Sequence, residues 1–415
     1  MARLGAAMRV VTRELDHGQL PLIQRLPKNP LTFIRYGDGL VGWGEAKRLS
    51  ASGADRFETL SDAWKALVLE CEIEDPMQLP GTGLVAFGSI AFADDSSAQS
   101  VLVVPKVLIG SRDGRHWITT IDGAELPITD GAKTSAGASV DGEAATSPQL
   151  KSGHQSRNGF KESVEKALQK IAIGAVEKVV LARDLAAEVP VDFDLRPTLA
   201  RLAERYSSCW VYSVDGMFGA SPELLVRVSH GQVSARVLAG TAGRGTDPAV
   251  DHAIGQALAG SHKNLAEHTF AVDSMVKSLA PFCDHVDADS APFAMPLPNV
   301  WHLASDVHGV LRNDASVLDL ASAIHPTAAV AGTPRLEALA LIGELEPFDR
   351  GRYAGPVGWI GADGDGEWAI ALRGAQLTDA TVRAFAGCGI VAESEPESEA
   401  SETELKFKPI VDALA

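Results

Sequence analysis

The sequence predicts a mixed helix-and-strand protein built on one sheet system. Three observations point there. Apolar strand-like runs lie on both sides of a Ser/Gly/Ala-rich stretch, amphipathic helical runs alternate with short strands toward the C-terminus, and the composition is that of a globular core, 46% hydrophobic and 22% charged over 415 residues.

From the N-terminus, residues 31–35 and 40–43 flank a Gly-Asp-Gly turn, as in a hairpin. Residues 62–72 carry apolar side chains at helical spacing, and 84–93 and 100–109 read as buried strands. Between 127 and 158 large apolar residues become scarce, which predicts a loop or flexible surface segment. Residues 159–173 then carry a helical pattern and 177–183 a β-branched strand, and another helix is expected over 264–280. The flanking strands favour a single domain over 1–415, interrupted by a surface excursion.

Charge and cysteine usage narrow the function classes. A net charge of −17 argues against nucleic acid or an acidic membrane as partner. No run approaches the roughly 20 apolar residues of a membrane span. The first fifteen residues, broken by Arg3, Arg9, Arg13 and Glu14, lack the apolar run of a signal peptide. Cys71, Cys209, Cys283 and Cys388 are widely spaced, which fits a reduced, cytoplasmic protein. An anionic substrate would need local cations to reverse the surrounding field, and a bound metal ion does this most effectively.

Four segments carry chemistry. In Val176–Arg183, Lys178 shares a strand face with Val180, and a lysine there fits either a desolvated base or an edge-strand residue snorkelling to water. In Phe218–Leu225, Glu223 follows a turn before an apolar run, as a buried general acid or a solvated turn residue would. Glu267 on its helix, with Glu399 and Glu402 three residues apart, offers oxygen donors suited to Mg2+, although acidic helix faces are commonly just solvated. Arg373, the Gly387–Gly389 pair and Lys406 offer an anion cradle, while Arg373 would equally suit a structural ion pair.

In this order the segments resemble the chorismate-utilising enzymes, a family that includes isochorismate, salicylate, anthranilate and aminodeoxychorismate synthases. The resemblance covers 159–415, the motif-bearing part. It rests on KVVLAR (178–183), GASPELL (219–225), LAGTAGRG (238–245), AEH (266–268), HPTAAVAGTP (325–334), DRGRYAGPVGW (349–359), ALR (371–373), AGCGIV (386–391) and the ExxETxxK frame of 399–406.

The resemblance implies an α+β fold with two large antiparallel sheets packed together and helices outside. It implies chorismate bound beside Mg2+, with Glu267 and Glu402 as direct ligands and Glu399 assisting through water. Lys178 becomes the base and Glu223 the acid. Arg373, Tyr353, Lys406 and the backbone at Gly240, Thr241, Gly387 and Gly389 become the cradle for two carboxylates, with His302 near the ring. Ammonia-using relatives are similar to one another in carrying Gln at Lys178, and aminodeoxychorismate synthases place a nucleophilic lysine at Ala239, so water is the expected nucleophile and no glutaminase subunit is expected. Salicylate synthases share both features but tend to carry Thr at Ala329, where this chain resembles isochorismate synthases. Members of this type are often monomers, and a monomer is the expectation here. Asn264, in place of an acidic residue, and Ala400, in place of an aromatic, depart from the family pattern.

Overall fold

The computed structural model describes residues 7–15, 21–125, 148–296 and 300–415, apart from the side chains of Thr241, Lys263, Glu267 and Val300. The strands lie in two large, predominantly antiparallel sheets with helices outside them, the α+β arrangement expected. The chain divides into two compact units, one of residues 1–223, 326–362 and 369–415, the other of 224–325 and 363–368.

The larger sheet lies wholly within the first unit. Its spatial order is Lys151–Ser152, Lys178–Glu188, Thr381–Ile390, Gly374–Thr378, Met217–Ser221, Trp210–Val214, Leu31–Arg35, Asp38–Trp43, Val107–Arg112, Arg115–Ile121, Met8–Leu15 and Cys71–Glu74. Only the last pairing is parallel. Gly332–Thr333 also pairs with Lys178–Glu188, so the lysine strand is internal and not the edge strand one alternative required. A second set of strands in this unit runs Pro356–Gly361, Val85–Ser89, Ser100–Val104 and Lys47–Ala51.

The C-terminal helix, Pro396–Leu414, covers part of the larger sheet. Its Ala400, Thr403, Phe407, Ile410 and Leu414 recur at helical spacing and are buried, while Val382, Ala384 and Ala386 belong to the same core. Burying a side chain such as Phe407 or Ile410 contributes roughly 1.5–3 kcal/mol. Arg183 adds a polar latch, donating from Nε to Thr403 Oγ1 at 2.7 Å and lying over the Phe407 ring at 5.0 Å. This docking fixes which side of the helix carries Glu399, Glu402 and Lys406.

In the second unit the order is Cys283–Ala288, Val300–Leu311, Gln232–Gly243 and Leu224–Ser229, with Phe293–Pro296 also on Val300–Leu311. Helix His262–Leu279 is capped by the Ser261 hydroxyl, which accepts from the Asn264 amide.

Several boundaries differ from expectation. The run 100–109 is two strands, Ser100–Val104 and Val107–Arg112, which belong to different sheets. Pro105 between them has no amide to continue a ladder. The helix expected over 62–72 spans Arg56–Leu69, and Cys71–Glu74 is a strand. Of the loop expected over 127–158, residues 127–147 lie outside the described residues. Lys151–Ser152 pairs with the lysine strand, and a helix capped by Ser156 begins at Arg157. The apolar run into Ala371–Arg373 reads as the end of a strand, yet that strand stops at Ile370.

Candidate active site

Within the first unit, four sequence motifs bring their chemical groups together. Lys178 opens its strand opposite the Gly387–Ile390 end of the neighbouring one, where Val179 pairs with Ile390 and Ala182 with Gly387. A Cβ placed on Gly389 would come within 2.7 Å of Lys178 Cε and 3.5 Å of its Nζ. Glycine at 389 therefore makes the room in which the lysine lies.

Gly387 makes a second clearing. A Cβ there would stand 2.8 Å from the Leu181 carbonyl oxygen and 3.2 Å from Tyr353 Oη. Lys406 reaches the same residue from the C-terminal helix, donating from Nζ to the Gly387 carbonyl at 2.8 Å. It also pairs with Glu402 at 2.5 Å, one turn away.

Tyr353 is buried and stacks on Phe385, with ring centroids 5.0 Å apart. Burial, only partly offset by the Arg350 and Arg373 charges, pushes its phenol up to about 12, so it stays a hydrogen-bond donor through the physiological range.

Glu223 completes the group. Its backbone is pinned on both sides, because its amide donates to Ser221 Oγ at 3.2 Å and its carbonyl accepts from the Ile370 amide at 3.1 Å. The Ser221 hydroxyl in turn donates to the Ile370 carbonyl at 2.5 Å. The side chain retains some solvent contact yet is crowded by protein. That burial pushes its carboxyl up to about 7, against the downward pull of Lys178, Lys406 and Arg373, in that order. A carboxyl that holds its proton near neutrality while three cations face it is suited to donating that proton.

Arg373 sits in a left-handed turn, φ +48°, and its guanidinium makes no hydrogen bond or ion pair among the described residues. The turn is held by Tyr212, whose buried hydroxyl donates to the Leu372 carbonyl at 3.0 Å, and by the Ala220 amide, which donates to the Arg373 carbonyl at 3.2 Å. Gly374 and Gly219 leave space for the Tyr212 hydroxyl, since a Cβ would come within 2.2 Å and 2.6 Å of it. Burial depresses the Arg373 guanidinium, with the Tyr353 and Glu402 sides pulling the other way. An arginine held by its backbone, with its fork unspent, is suited to a carboxylate. Ser221 lies in the GASPELL motif without a role assigned to it, and Tyr212 lies in none of the motifs; the glycines facing Tyr212 are its available signal.

Ala329, partly buried, lies in the turn after His325, where the Val330 and Ala331 amides donate to the Thr327 carbonyl. Glu399 and Glu402 lie on the C-terminal helix, where their three-residue spacing puts both on one face. Ala400 between them is fully buried.

In the second unit, Gly240 adopts φ +78° at an irregularity in the ladder between Gln232–Gly243 and Val300–Leu311, where Thr241 pairs with the partly buried His302. A Cβ on Gly240 would meet Asn264 Cβ at 3.3 Å. The Asn264 side chain donates to Ser261 Oγ at 3.0 Å, so this departure from the family pattern is engaged in the helix cap. Glu267 is on the same helix, and its side chain lies outside what is described. His268, which closes the AEH motif without a role assigned to it there, is buried with Nδ1 3.0 Å from the Ala239 carbonyl and Nε2 2.9 Å from Ser305 Oγ. The carbonyl only accepts, so Nδ1 carries a proton, and the ring anchors the helix to both strands.

Among the described residues no three His, Cys, Asp or Glu side chains gather to hold a metal. The donors in view at Glu399 and Glu402 are carboxylates one turn apart, and that chemistry fits a hard divalent cation. Two surface cavities, one lined by Val11, Arg13 and Ile118, the other by Leu22, Arg35 and Cys209, contain none of the convergent groups above.

Comparison with known proteins bears on the family and the fold. Residues 35–415 match the family model described as chorismate binding enzyme. The isochorismate synthase MenF of Bacillus subtilis is 30% identical over 94% of this chain and 86% of its own length. The isochorismate synthase DhbC of the same organism is 38% identical over 61% of this chain and 67% of its own. The solved structure of the menaquinone-specific isochorismate synthase MenF from Escherichia coli has the same fold, with a TM-score of 0.75 at 24% identity, covering 98% of this chain and 95% of that one. With motifs, fold and family model in agreement, the chain belongs to the chorismate-binding enzyme family.

Proposed function

We propose that this chain is an isochorismate synthase, converting chorismate reversibly to isochorismate with Mg2+. The observation that carries the reading is Glu223, protonated up to about 7 in the company of Lys178, Lys406 and Arg373. Similarity to relatives named isochorismate synthase supports it. The two units are taken to work as one chorismate-utilising domain over 1–415, with residues 159–415 carrying the catalytic motifs.

Lys178, as the free amine, takes a proton from a water molecule that adds to ring C2. Glu223 gives its proton to the hydroxyl departing from C4, and the ring double bonds shift between the two carbons. The added and departing groups are both hydroxyls, so bonds of equal kind form and break and the reaction runs either way. An acid and a base so placed contribute roughly 10²–10⁴ each. Arg373 and Lys406 bind the side-chain carboxylate, Tyr353 donates to substrate oxygen, and the backbone at Gly240, Thr241, Gly387 and Gly389 completes the cradle, with His302 and Ala329 by the ring. Glu267 and Glu402, with Glu399 through water, would hold the cation, which when bound withdraws electron density through the ring carboxylate.

Water as nucleophile removes the need for a glutaminase subunit, and we take the protein as a cytoplasmic monomer serving menaquinone or siderophore formation. Among the described residues no helix is long and apolar enough to cross a membrane.

The test is incubation of the purified protein with chorismate and Mg2+, with and without EDTA, followed by chromatography. Metal-dependent isochorismate as sole product is expected. Salicylate with pyruvate would move the chain to the salicylate synthases, and chorismate binding without turnover would make it a scaffold subunit.

A further inference from the structure

The Lys178–Glu188 strand loses a backbone neighbour partway along. Glu177 and Val180 donate their amides to the Thr333 and Ala331 carbonyls, and beyond that point the Gly332–Thr333 segment turns away. A buried side-chain pair takes over. The Ala182 amide donates to Glu346 Oε1 at 2.7 Å, and Arg350 Nη2 donates to the Val180 carbonyl at 2.7 Å. Together the two side chains supply the acceptor and the donor that a neighbouring strand would supply.

The same guanidinium reaches further. Its Nη1 donates to the Val330 carbonyl at 2.9 Å, and its Nε and Nη2 grip the Glu346 carboxylate at 2.8 Å and 2.6 Å. Its centre lies 5.9 Å from the Tyr353 ring, and the Tyr353 amide donates to the Arg350 carbonyl at 3.0 Å. The two side chains are 3% and 2% exposed. Three segments that carry site residues therefore meet on one group: the strand of Lys178, the turn of Ala329, and the turn of Tyr353.

A buried ion pair is a poor stabiliser compared with well-packed apolar side chains, so stability alone gives little reason for it here. The planar fork of arginine is the one cationic side chain that can hold several acceptors in fixed directions. We propose that Arg350, held by Glu346, is a positioning residue that sets where Lys178 stands relative to the Ala329 turn and Tyr353. What is positioned rests on the function proposed above.

Arg350→Lys keeps a cation for Glu346 but cannot reach all the acceptors at once. Displacing a reacting group by about 1 Å costs on the order of 10²-fold, so kcat for chorismate is expected to fall by about that factor per folded molecule. KM should change less than about threefold, because Arg373 and Lys406 are held by other contacts. The titration of Glu223, followed by NMR of 13C-labelled glutamate carboxyls without substrate, should move upward as Lys178 leaves the set of Lys178, Lys406 and Arg373. A wild-type kcat per folded molecule with an unmoved Glu223 titration overturns the proposal. If Arg350→Lys fails to fold, the same two measurements on Glu346→Gln, which keeps an acceptor for Ala182, support or overturn the proposal in the same way. If the unaltered protein does not convert chorismate, the proposed function alone fails, and the titration still decides the positioning role.

Discussion

Lys178 occupies the space that a side chain at position 389 would fill, with its Cε 2.7 Å from where a Gly389 Cβ would stand. The obstructed atoms are the far end of a flexible side chain, so Gly389→Ala can be accommodated by moving the lysine and leaving the sheet in place. We expect the variant to melt within a few degrees of the parent while turnover falls by about 10-fold or more, as for a misplaced catalytic group. Parallel melting curves and steady-state assays check this. A fully active variant would mean the amine is not needed where it lies.

Glu223 links both activity and stability to pH, and both decline as its carboxyl loses the proton. The folded carboxyl keeps its proton up to about 7, whereas an unfolded one releases it near the ordinary 4.5. Between those values folding takes up a proton, so stability declines as pH rises through the window. Glu223→Gln removes that dependence: its melting temperature should match the parent near pH 5 and exceed it near pH 8. Its turnover should be lower by roughly 10²–10⁴, with loss of the limb on which parent activity falls above about 7. A melting difference that is the same at both pH values would mean that the Glu223 carboxyl is not raised in the folded protein.

Much of this was legible in the chain, and the reasons differ by residue. Lys178 sits in an apolar run whose period assigns it a face, and Glu223 follows a turn before another, but only the resemblance of the motifs gave either a role. The Glu399/Glu402 spacing gives one face only on a helix, which two residues cannot establish, and Pro396–Leu414 is helical. Pro105 and the exposed Lys106 after it were there to be read as a break, but the runs on either side are apolar, and periodicity cannot divide strands buried on both faces. The ties that Tyr212, His268 and Arg350 make to the Leu372, Ala239 and Val180 carbonyls were not legible, because each joins residues at least 29 positions apart. Such partners leave no mark on local sequence. The glycines opposite Tyr212 show only the space it needs, not the bond it makes.

Arg373 holds a cation in a crowded place with no ion-pair partner among the described residues, so the folded protein gains little from its charge. Arg373→Gln should therefore leave the melting temperature unchanged or slightly raised. If its fork grips a substrate carboxylate, KM for chorismate should rise by about 10- to 100-fold, the loss of a charge-assisted bond worth about 1.5–3 kcal/mol. Isothermal titration with chorismate separates this from a kcat effect. Unchanged affinity would return Arg373 to a structural role.

Glu402 is bound to Lys406 at 2.5 Å, so one of the proposed metal ligands is paired with one of the proposed substrate cations. Drawing Glu402 toward a divalent ion would free Lys406, which still holds the Gly387 carbonyl, to meet an anion. Glu402→Gln weakens both arrangements. The Mg2+ concentration for half-maximal activity should rise by about 10-fold or more, as expected when a charged oxygen donor becomes a neutral one. Calorimetric Mg2+ binding to the protein without substrate should weaken in parallel, and that measurement does not depend on turnover. Unaltered Mg2+ binding in the variant would take Glu402 out of the ligand set and leave its pairing with Lys406 as the feature that orders the turn from 402 to 406.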